Sequence, residues 1–386
     1  MSRKTLLAAV TATAGLLTAG CGQGLLAGSD DSAGQDGPIV LGMTAPMSGT
    51  SADIGPYMKN GAQLAIDEIN AKGGVLGRKL ELRAEDDACD PKTAVAAATK
   101  LVTSKIAVSV GGYCSGATLP TLPIFAKAEI PMIIPAANSD ELYQQGIKST
   151  FLINGTGTQQ ADAALAWMTD AKSDRVVVVD DNTSYAENIA TLMGPRLKKA
   201  GGPEEVAALS LTPGESDYST TVAAVLDAKP DFVYWTGYDK EGGLLIRQLR
   251  QAGYDGTIMV ADGAVSASLA KIAGGDNAEG VLATMTQTPD TIKGGEKWVA
   301  GYRKRFGARP GPYSTQSYDA VRLAADAITK AGSTRSADVV AELEHVKGFP
   351  LFSGPLTFTK EHTLSKGGFV VLRQRDGRFV LADDEK

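Results

Sequence analysis

Ser115 lies in a short polar segment, 111–118, that is suited to bind an anion. The apolar segment 106–110 is followed by Gly-Gly-Tyr-Cys-Ser-Gly-Ala-Thr, and a helical pattern begins there. Backbone N–H groups at the start of a helix attract negative charge, and a serine hydroxyl can donate a further hydrogen bond to the same group. We therefore expect the Ser115 hydroxyl and the N–H groups of Ala117 and Thr118 to face one anion.

A second apolar segment, 132–135, ends in a similar way, because Ala-Ala-Asn follows it and places Asn138 before another helical pattern. An asparagine amide donates a hydrogen bond through its nitrogen and accepts one through its oxygen. It therefore suits a ligand that carries both a negative group and hydrogen-bond donors. We predict that the anion is the carboxylate of a small amino acid.

Strand-like and helix-like segments alternate along most of the chain, a pattern typical of βαβ units and a parallel sheet. We predict strands at 38–44, 79–84, 106–110, 132–135, 175–179, 206–211, 231–236, 257–261 and 281–285. We predict helices near 57–71, 93–103, 117–128, 159–171, 186–200, 217–228, 240–252, 294–306, 314–331 and 336–346. An open α/β sheet binds its ligand beyond the carboxyl ends of its strands, where Ser115 and Asn138 fall.

Two stretches of the chain, 39–84 and 175–211, share one plan. In each, a strand is followed by a polar loop, a long helix, a Gly-Gly pair and a second strand. The length of 386 residues also exceeds what one hydrophobic core usually serves. The predicted fold class is therefore α/β with two doubly wound parallel-sheet lobes, and a cleft between such lobes is a common ligand site.

Charge and motif content argue against several functions. The formal net charge of −6 disfavours nucleic acid and anionic membrane surfaces as partners. The only two histidines, His345 and His362, come late in the chain, and the G-x-S-x-G, H-E-x-x-H and P-loop motifs are absent from it. We expect no cofactor, no metal and no enzymatic activity. An exported enzyme that uses carboxylates for acid/base chemistry remains the alternative.

Residues 1–20 have the pattern of a lipoprotein signal peptide. A basic start precedes an uncharged apolar run, 6–19, that is too short to span a bilayer comfortably. The following Leu-Thr-Ala-Gly-Cys resembles a bacterial lipobox, so we expect lipidation of Cys21 to anchor the protein outside the cytoplasm. An ordinary secretory peptide is the alternative. Residues 21–37 are rich in Gly, Ser and Asp, which predicts a flexible tether.

Two cysteines remain once Cys21 is assigned to the lipid. An even number of cysteines outside the cytoplasm favours a disulfide, which we predict between Cys89 and Cys114. Closing this loop would stabilise the fold by about 3 kcal/mol in the chain-entropy estimate. Two buried thiols are the alternative.

Several short motifs occur together in an informative order. The most specific is Asp-Asp-Ala-Cys-Asp-Pro-Lys at 86–92, with Cys-Ser at 114–115. Others are Gly-Ala at 61–62, Asn-Ala-Lys-Gly-Gly at 70–74, Phe-Val-Tyr at 232–234, Gly-Tyr at 237–238, Ile-Ala-Gly at 272–274, Ala-Glu-Gly at 278–280 and Gly-Pro-Leu at 354–356. Together they resemble the leucine/isoleucine/valine-binding proteins, which are type I periplasmic solute-binding proteins of ABC importers.

This resemblance implies an organisation and a function. One lobe would contain 38–156 and 286–366, the other 157–285 and 367–386, with a three-segment hinge that closes on the ligand. The ligand would be a free amino acid, with leucine, isoleucine and valine as first candidates, and membrane permease subunits would receive it. We expect a monomer that reaches the membrane only through its lipid anchor. A ligand-sensing receptor component with the same fold is the alternative.

The resemblance also assigns the polar ends of the ligand. Ser115, the backbone of Ala136 and Asn138 would bind the carboxylate, and Asn138 would also accept from the ammonium. Asp262 would bind the ammonium at a position where the family commonly has glutamate. The simpler alternatives are helix caps at Ser115 and Asn138 and an Asp-Gly turn at Asp262.

Four further residues would surround the rest of the ligand. Tyr185 and Tyr238 match aromatic contacts of the second lobe, while Tyr313 and Ile54 would line the side-chain pocket; core packing is the alternative for the tyrosines. The family often has a large aromatic residue where this chain has Ile54. The neighbouring Asp53 could add a charge there, so the preferred amino acid is left open.

Overall fold

The structure, a computed structural model, describes residues 37–382. The predicted signal peptide, Cys21 and the tether up to residue 36 lie outside the described residues. Between 37 and 382, no helix is both long enough and apolar enough to cross a membrane.

The first sheet is entirely parallel and has five strands in the order β2-β1-β3-β4-β5. The strands are β1 (Ile39–Ala45), β2 (Leu80–Asp86), β3 (Val108–Ser109), β4 (Met132–Ile134) and β5 (Thr150–Leu152). The chain order reverses between β1 and β3, which makes this point a topological switch.

The second sheet has seven strands in the order β14-β13-β10-β9-β8-β6-β7. Its strands are β6 (Arg175–Asp180), β7 (Glu204–Ser210), β8 (Phe232–Trp235), β9 (Thr257–Val260), β10 (Leu282–Met285), β13 (Val370–Arg375) and β14 (Arg378–Leu381). Strands β6 to β10 are parallel and repeat the order of the first sheet, whereas β13 and β14 are antiparallel additions at one edge. A separate hairpin joins β11 (Lys347–Leu351) to β12 (Gly354–Thr357).

Fourteen helices are present in the described range. They are α1 (Gly55–Ala71), α2 (Pro91–Thr103), α3 (Ser115–Thr118), α4 (Leu122–Lys127), α5 (Glu141–Gln144), α6 (Gly157–Asp170), α7 (Ser184–Ala200), α8 (Ser219–Ala228), α9 (Asp239–Gln251), α10 (Ala267–Ala273), α11 (Gly275–Ala278), α12 (Glu296–Phe306), α13 (Ser314–Ala331) and α14 (Ser336–Glu344). Local chemistry sets several ends. Asp90 caps α2 by accepting from the Thr93 N–H at 2.8 Å, and Gly201 ends α7 in the left-handed conformation.

The chain passes between the two sheets three times. It leaves the first sheet after β5 and builds β6 to β10, and it then returns through α12 and α13, which pack on α1. After β12 it crosses again to add β13 and β14 to the second sheet. The predicted α/β fold of two doubly wound lobes with a three-segment connection is confirmed. Each lobe has its own switch point, so the carboxyl ends of strands in both lobes are available to form a site.

The structure differs from the sequence prediction in one segment that matters for the site. The helix predicted over 117–128 is broken into α3, a 3₁₀ turn at 119–121 and α4. Pro120 and Pro123 lack the N–H that a continuous helix needs at those positions. The helical segment after β3 therefore begins with one short α-helical turn, at Ser115.

Candidate functional site

The predicted site residues lie just beyond the carboxyl ends of strands in both sheets. Ser115 begins α3 after β3, Asn138 follows β4, Tyr185 lies in the first turn of α7 after β6, Tyr238 precedes α9 after β8, and Asp262 follows β9. All of them are almost fully buried except Tyr238, which is partly exposed.

Asp262 is the centre of the hydrogen-bond network. Its Oδ1 accepts from the Tyr185 hydroxyl at 2.6 Å and from Gln160 Nε2 at 2.9 Å, and its Oδ2 accepts from the Tyr313 hydroxyl at 2.7 Å. Within residues 37–382, no lysine, arginine or histidine forms an ion pair with it. Burial raises the pKa of the Asp262 carboxyl, and its three hydrogen bonds oppose that rise.

Four tyrosines, which we call the tyrosine cluster, surround this carboxylate: Tyr113, Tyr185, Tyr238 and Tyr313. The ring of Tyr113 lies 5.3 Å from that of Tyr313 and 6.1 Å from that of Tyr238, which lies 5.2 Å from that of Tyr185. Burial raises the pKa of all four hydroxyls well above the usual value for tyrosine. The cluster therefore offers neutral hydroxyl groups and apolar ring faces to a ligand.

Local backbone geometry brings Tyr185 and Tyr313 to Asp262. A Cβ atom at Gly263 would lie 2.7 Å from the Tyr185 ring, so only glycine allows this approach, and the Gly263 N–H donates to the Tyr185 hydroxyl at 2.8 Å. Tyr313 has φ 61°, a left-handed conformation that costs a non-glycine residue on the order of 1 kcal/mol. This strained backbone immediately precedes α13 and directs the Tyr313 hydroxyl at Asp262.

At the turn that contains Ser115, the N–H groups that we expected to bind an anion are already used. The N–H groups of Ala117 and Thr118 donate to the Cys114 carbonyl, at 3.1 and 2.9 Å, so the prediction that they face an anion was wrong. The reason is that the helix begins at Ser115, two residues earlier than predicted, so these two N–H groups already form its first internal hydrogen bonds. Ser115 Oγ accepts long hydrogen bonds from the N–H groups of Asn138 (3.4 Å) and Ser139 (3.2 Å).

The Ser115 hydroxyl hydrogen has no acceptor among the described residues. The buried hydroxyls of Thr118, in the same turn, and of Ser139, whose N–H donates to Ser115 Oγ, also lack a hydrogen-bond partner there. Buried hydroxyl groups normally find a partner. This turn therefore has unused donors for an anionic group, although they are hydroxyls and not the N–H groups that we expected.

Asn138 does not cap a helix, so that alternative was wrong. The next helix begins at Glu141, and the Asn138 side chain instead donates to Gln160 Oε1 at 2.8 Å. Asn138 Oδ1 accepts no hydrogen bond in the described part of the chain. The Ala136 carbonyl accepts from Asn154 Nδ2 at 2.6 Å. A carbonyl oxygen has two lone pairs, so it can accept one further hydrogen bond.

The side-chain pocket residues have different surroundings. Ile54 is buried in the same hydrophobic cluster as Tyr113 and Tyr313. Asp53, which we considered as a charge near the ligand, is exposed, and its Oδ2 accepts from the Ser268 hydroxyl at 2.5 Å. The structure therefore gives the Asp53 charge a partner on the other lobe at the protein surface.

Other hydrogen bonds also join the two lobes around the site. Glu141 accepts from the Ser184 hydroxyl at 3.1 Å, and Asn188 Oδ1 accepts from the Asp140 N–H at 3.1 Å. With the Asp53–Ser268 bond, these are three hydrogen bonds between the lobes beside the candidate site. A cavity of about 280 Å³ lies beside the site, lined by segments that follow Asp262 and precede Tyr313.

Sequence reasoning missed two residues of this site, Tyr113 and Gln160. Tyr113 follows β3 directly, so its position at a strand end was a usable signal. Gln160 lies in the first turn of α6, where a glutamine usually faces solvent, and nothing in the local sequence indicates that it is buried.

The predicted cysteine pair is close in space. Cys89 and Cys114 lie at disulfide distance, with Cα atoms 5.4 Å apart, within the roughly 4.4–6.8 Å that disulfides span. The pair connects the segment after β2 to the turn that contains Ser115. It would therefore hold that turn in place. In residues 37–382, no group of three or more His, Cys, Asp and Glu side chains is arranged to hold a metal ion.

Comparison with known proteins places this chain in a family. The model of the periplasmic binding protein family matches residues 38–378. The Leu/Ile/Val-binding protein BraC3 of Rhizobium johnstonii is 34% identical over 351 residues, which cover 89% of this chain and 94% of that protein. The leucine-specific-binding protein of Salmonella typhimurium is 34% identical over 376 residues, or 97% of this chain and 99% of that protein.

Solved structures agree. The leucine binding protein of Thermotoga maritima superimposes with a TM-score of 0.81 at 27% identity and covers 88% of this chain and 97% of its own. The branched-chain amino acid transporter substrate binding protein of Streptococcus pneumoniae, solved with isoleucine, gives a TM-score of 0.81 at 26% identity, over 89% of this chain and 97% of its own. The chain therefore belongs to the periplasmic binding protein family, a family of solute-binding proteins, as the order of its motifs predicted.

Proposed function

We propose that this protein is the substrate-binding component of an ABC importer and that it binds a small amino acid between its lobes. Leucine, isoleucine and valine are the first candidates, because the relatives and the solved structures described above are named for them. The protein would close on the amino acid, deliver it unchanged to permease subunits in the membrane, and have no enzymatic activity.

The observation that carries this proposal is the environment of Asp262. A carboxylate that is 2% exposed accepts from three hydrogen-bond donors and, within residues 37–382, forms no ion pair with a lysine, arginine or histidine. Buried charges are normally paired, so the missing cation is supplied by the ligand. An ammonium group fits, because it is compact, positively charged and rich in donors.

The opposite end of the site supports a carboxylate on the same ligand. Among the described residues the Ser115 hydroxyl has no acceptor, and one N–H and the side-chain carbonyl oxygen of Asn138 have no partner. Asn138 and Asp262 are joined through a single side chain, Gln160, so the two ends lie in one continuous network. A ligand that carries a carboxylate and an ammonium on neighbouring atoms matches both ends.

A thermal-shift screen of the twenty amino acids, followed by calorimetry on the best ligands, tests this function. Leucinamide lacks the carboxylate and N-acetylleucine lacks the ammonium, so each removes one end of the proposed recognition. We expect leucine, isoleucine or valine to bind and both derivatives to bind at least tenfold more weakly. Equal binding of leucine and N-acetylleucine, or no binding of any amino acid, would contradict the proposal.

The lobes are proposed to consist of 38–156 with 286–366 and 157–285 with 367–386. Sheet membership supports this division, because β1–β5 fall in the first set and β6–β10, β13 and β14 fall in the second. Small-angle scattering should show a more compact monomer when the amino acid is added.

Family membership implies a location outside the cytoplasm. We propose further that lipidated Cys21 anchors the chain to the membrane. A Cys21→Ala variant should appear in the soluble extracytoplasmic fraction, whereas the wild type stays with the membrane. Deletion of the gene should reduce uptake of the labelled amino acid; unchanged uptake would favour a sensing role.

A further inference from the structure

Gln160 is fully buried and joins the two ends of the proposed site. Its Nε2 donates to Asp262 Oδ1 at 2.9 Å and to Thr284 Oγ1 at 3.0 Å, and its Oε1 accepts from Asn138 Nδ2 at 2.8 Å. Among the described residues, no other side chain hydrogen-bonds to both Asn138 and Asp262. The distance between these two groups therefore depends on one amide.

The orientation of this amide is determined by its partners. Asp262 accepts only and the Asn138 nitrogen donates only, so exchanging the oxygen and nitrogen of Gln160 would break both hydrogen bonds. Both N–H groups of Gln160 are used, one by Asp262 and one by Thr284. Gln160 therefore keeps no N–H for a ligand, and its role is to hold other groups in place.

The bond to Gln160 also determines how Asn138 is presented. One N–H of Asn138 points at Gln160, which leaves the second N–H and the carbonyl oxygen free for a ligand. The same amide fixes Oδ1 of Asp262 together with the Tyr185 hydroxyl. Movement of Gln160 would therefore change the position of Asn138 and of Asp262 together.

The helix that carries Gln160 has a rigid start. Thr156 and Gln159 form a reciprocal capping box, in which the Gln159 N–H donates to Thr156 Oγ1 at 3.2 Å and the Thr156 N–H donates to Gln159 Oε1 at 3.0 Å. This cap directly follows the crossing from the first sheet to the second, where the Gly157 N–H donates to the Asn138 carbonyl at 2.7 Å. Gln160 is thus attached at a fixed point between the lobes.

We propose that Gln160 is a positioning residue that sets the spacing between the carboxylate-binding and ammonium-binding ends, so that the protein selects α-amino acids over homologues with one more carbon between the two charges. This inference rests on the proposed function, because it assigns a role within that site. Gln160 acts through Asn138 and Asp262 and does not contact the ligand.

The test compares leucine with β-homoleucine, which has one extra methylene between its carboxylate and the carbon that bears the ammonium. Calorimetry on the wild type should show a preference for leucine of at least about tenfold, the equivalent of one lost hydrogen bond. In Gln160→Met, which keeps the length of the side chain but removes the amide, leucine should bind at least about tenfold more weakly. The loss for β-homoleucine should be smaller, so that the preference falls.

The matched control is Gln159→Met, the same change at the adjacent position. Gln159 contacts Thr156 and the Leu364 carbonyl but neither end of the proposed site. This variant should lower the melting temperature through the helix cap and leave the leucine preference unchanged. A parallel loss of both ligands in Gln160→Met, or an unchanged preference, would overturn the inference and give Gln160 a purely structural role.

Gln160→Glu keeps the test informative if Gln160→Met does not fold. An ionised glutamate would place a second negative charge beside Asp262 where the wild type has an N–H donor, whereas a protonated one can still donate. The leucine preference of this variant should therefore fall as the pH rises from 5 to 8, while that of the wild type stays level; a level profile in the variant contradicts the inference. If the wild type binds neither ligand nor any other amino acid, the proposed function itself fails, which is a different result.

Discussion

Replacing Asp262 by asparagine separates the charge of this residue from its shape. Asparagine keeps Oδ1, so it can still accept from the Tyr185 hydroxyl and Gln160 Nε2. Its Nδ2 would face the Tyr313 hydroxyl, which can turn its hydrogen away and accept. The hydrogen-bond network therefore survives Asp262→Asn, and only the negative charge is lost.

The expected loss of affinity is large because the site is buried. Removing one partner of a buried, hydrogen-bonded charge pair costs about 2–5 kcal/mol, and the 2% exposure of Asp262 places it in the upper part of that range. At about 3–5 kcal/mol, and with about 1.4 kcal/mol for each tenfold change, the amino acid should bind roughly 100- to 4,000-fold more weakly.

The stability of the unliganded protein should not fall in Asp262→Asn, in contrast to the affinity. Burial raises the pKa of Asp262, which means that the folded protein disfavours its ionised form even with three hydrogen bonds. Neutral asparagine removes that cost, so the melting temperature of the unliganded variant at pH 7.5 should equal or exceed that of the wild type. A loss of affinity without a loss of stability cannot be explained by misfolding.

Isothermal titration with leucine, isoleucine and valine measures the affinity, and calorimetric unfolding measures the stability. Asp180→Asn is the matched control, because Asp180 also ends a strand of the second sheet and is hydrogen-bonded, to Ser210 and the Asn182 N–H, outside the tyrosine cluster. That control should leave the affinity unchanged. An Asp262→Asn variant that binds as tightly as the wild type would refute the assignment of Asp262 to the ammonium.

Three further predictions concern the disulfide, a buried carboxyl and the pocket. Cys89→Ser should lower the free energy of unfolding by about 3 kcal/mol in urea while leucine still binds; equal stability under oxidising conditions would contradict the disulfide. Burial raises the pKa of Asp87 to about 6, so the folded state binds the proton of this carboxyl more tightly than the unfolded state, and its ionisation lowers the free energy of unfolding by about 2 kcal/mol as the pH rises from 4 to 7. Asp87→Asn should remove that fall in urea melts, and an identical pH profile would refute it. Tyr113→Leu empties space between Tyr238 and Tyr313, so phenylalanine should gain roughly tenfold over valine by calorimetry, whereas an unchanged ratio would show that Tyr113 does not limit the ligand.

The sequence was sufficient to predict most of the fold because the elements carry strong local signals. The valine run at 176–179 is fully buried in β6, as a strand covered on both faces requires, and the Gly-Gly pair at 201–202 ends α7. The missed elements are short or depend on distant partners. Strand β5 has three residues, and β13 and β14 form an antiparallel edge that the parallel pattern did not suggest.

An open α/β sheet binds its ligand beyond the carboxyl ends of its strands, and this rule predicted which polar residues would lie together. It did not predict which hydrogen bonds these residues would form. Ser115, Asn138 and Asp262 follow β3, β4 and β9, and the network that joins them runs through Gln160. The N–H groups of Ala117 and Thr118 were assigned wrongly, because the helix was predicted to begin at 117 but begins at Ser115.

The use of aspartate at 262 and the burial of Gln160 are physically connected. An aspartate side chain has a single methylene, so the Asp262 carboxylate lies close to the end of β9. In this chain an amide from α6 reaches that carboxylate and also holds Asn138 on the opposite lobe. If the proposed site is correct, this aspartate and the bridging amide together determine where the two charges of a ligand lie. For this reason the affinity for an amino acid should depend on Gln160 and Asp262 together, and their effects on binding should not add independently.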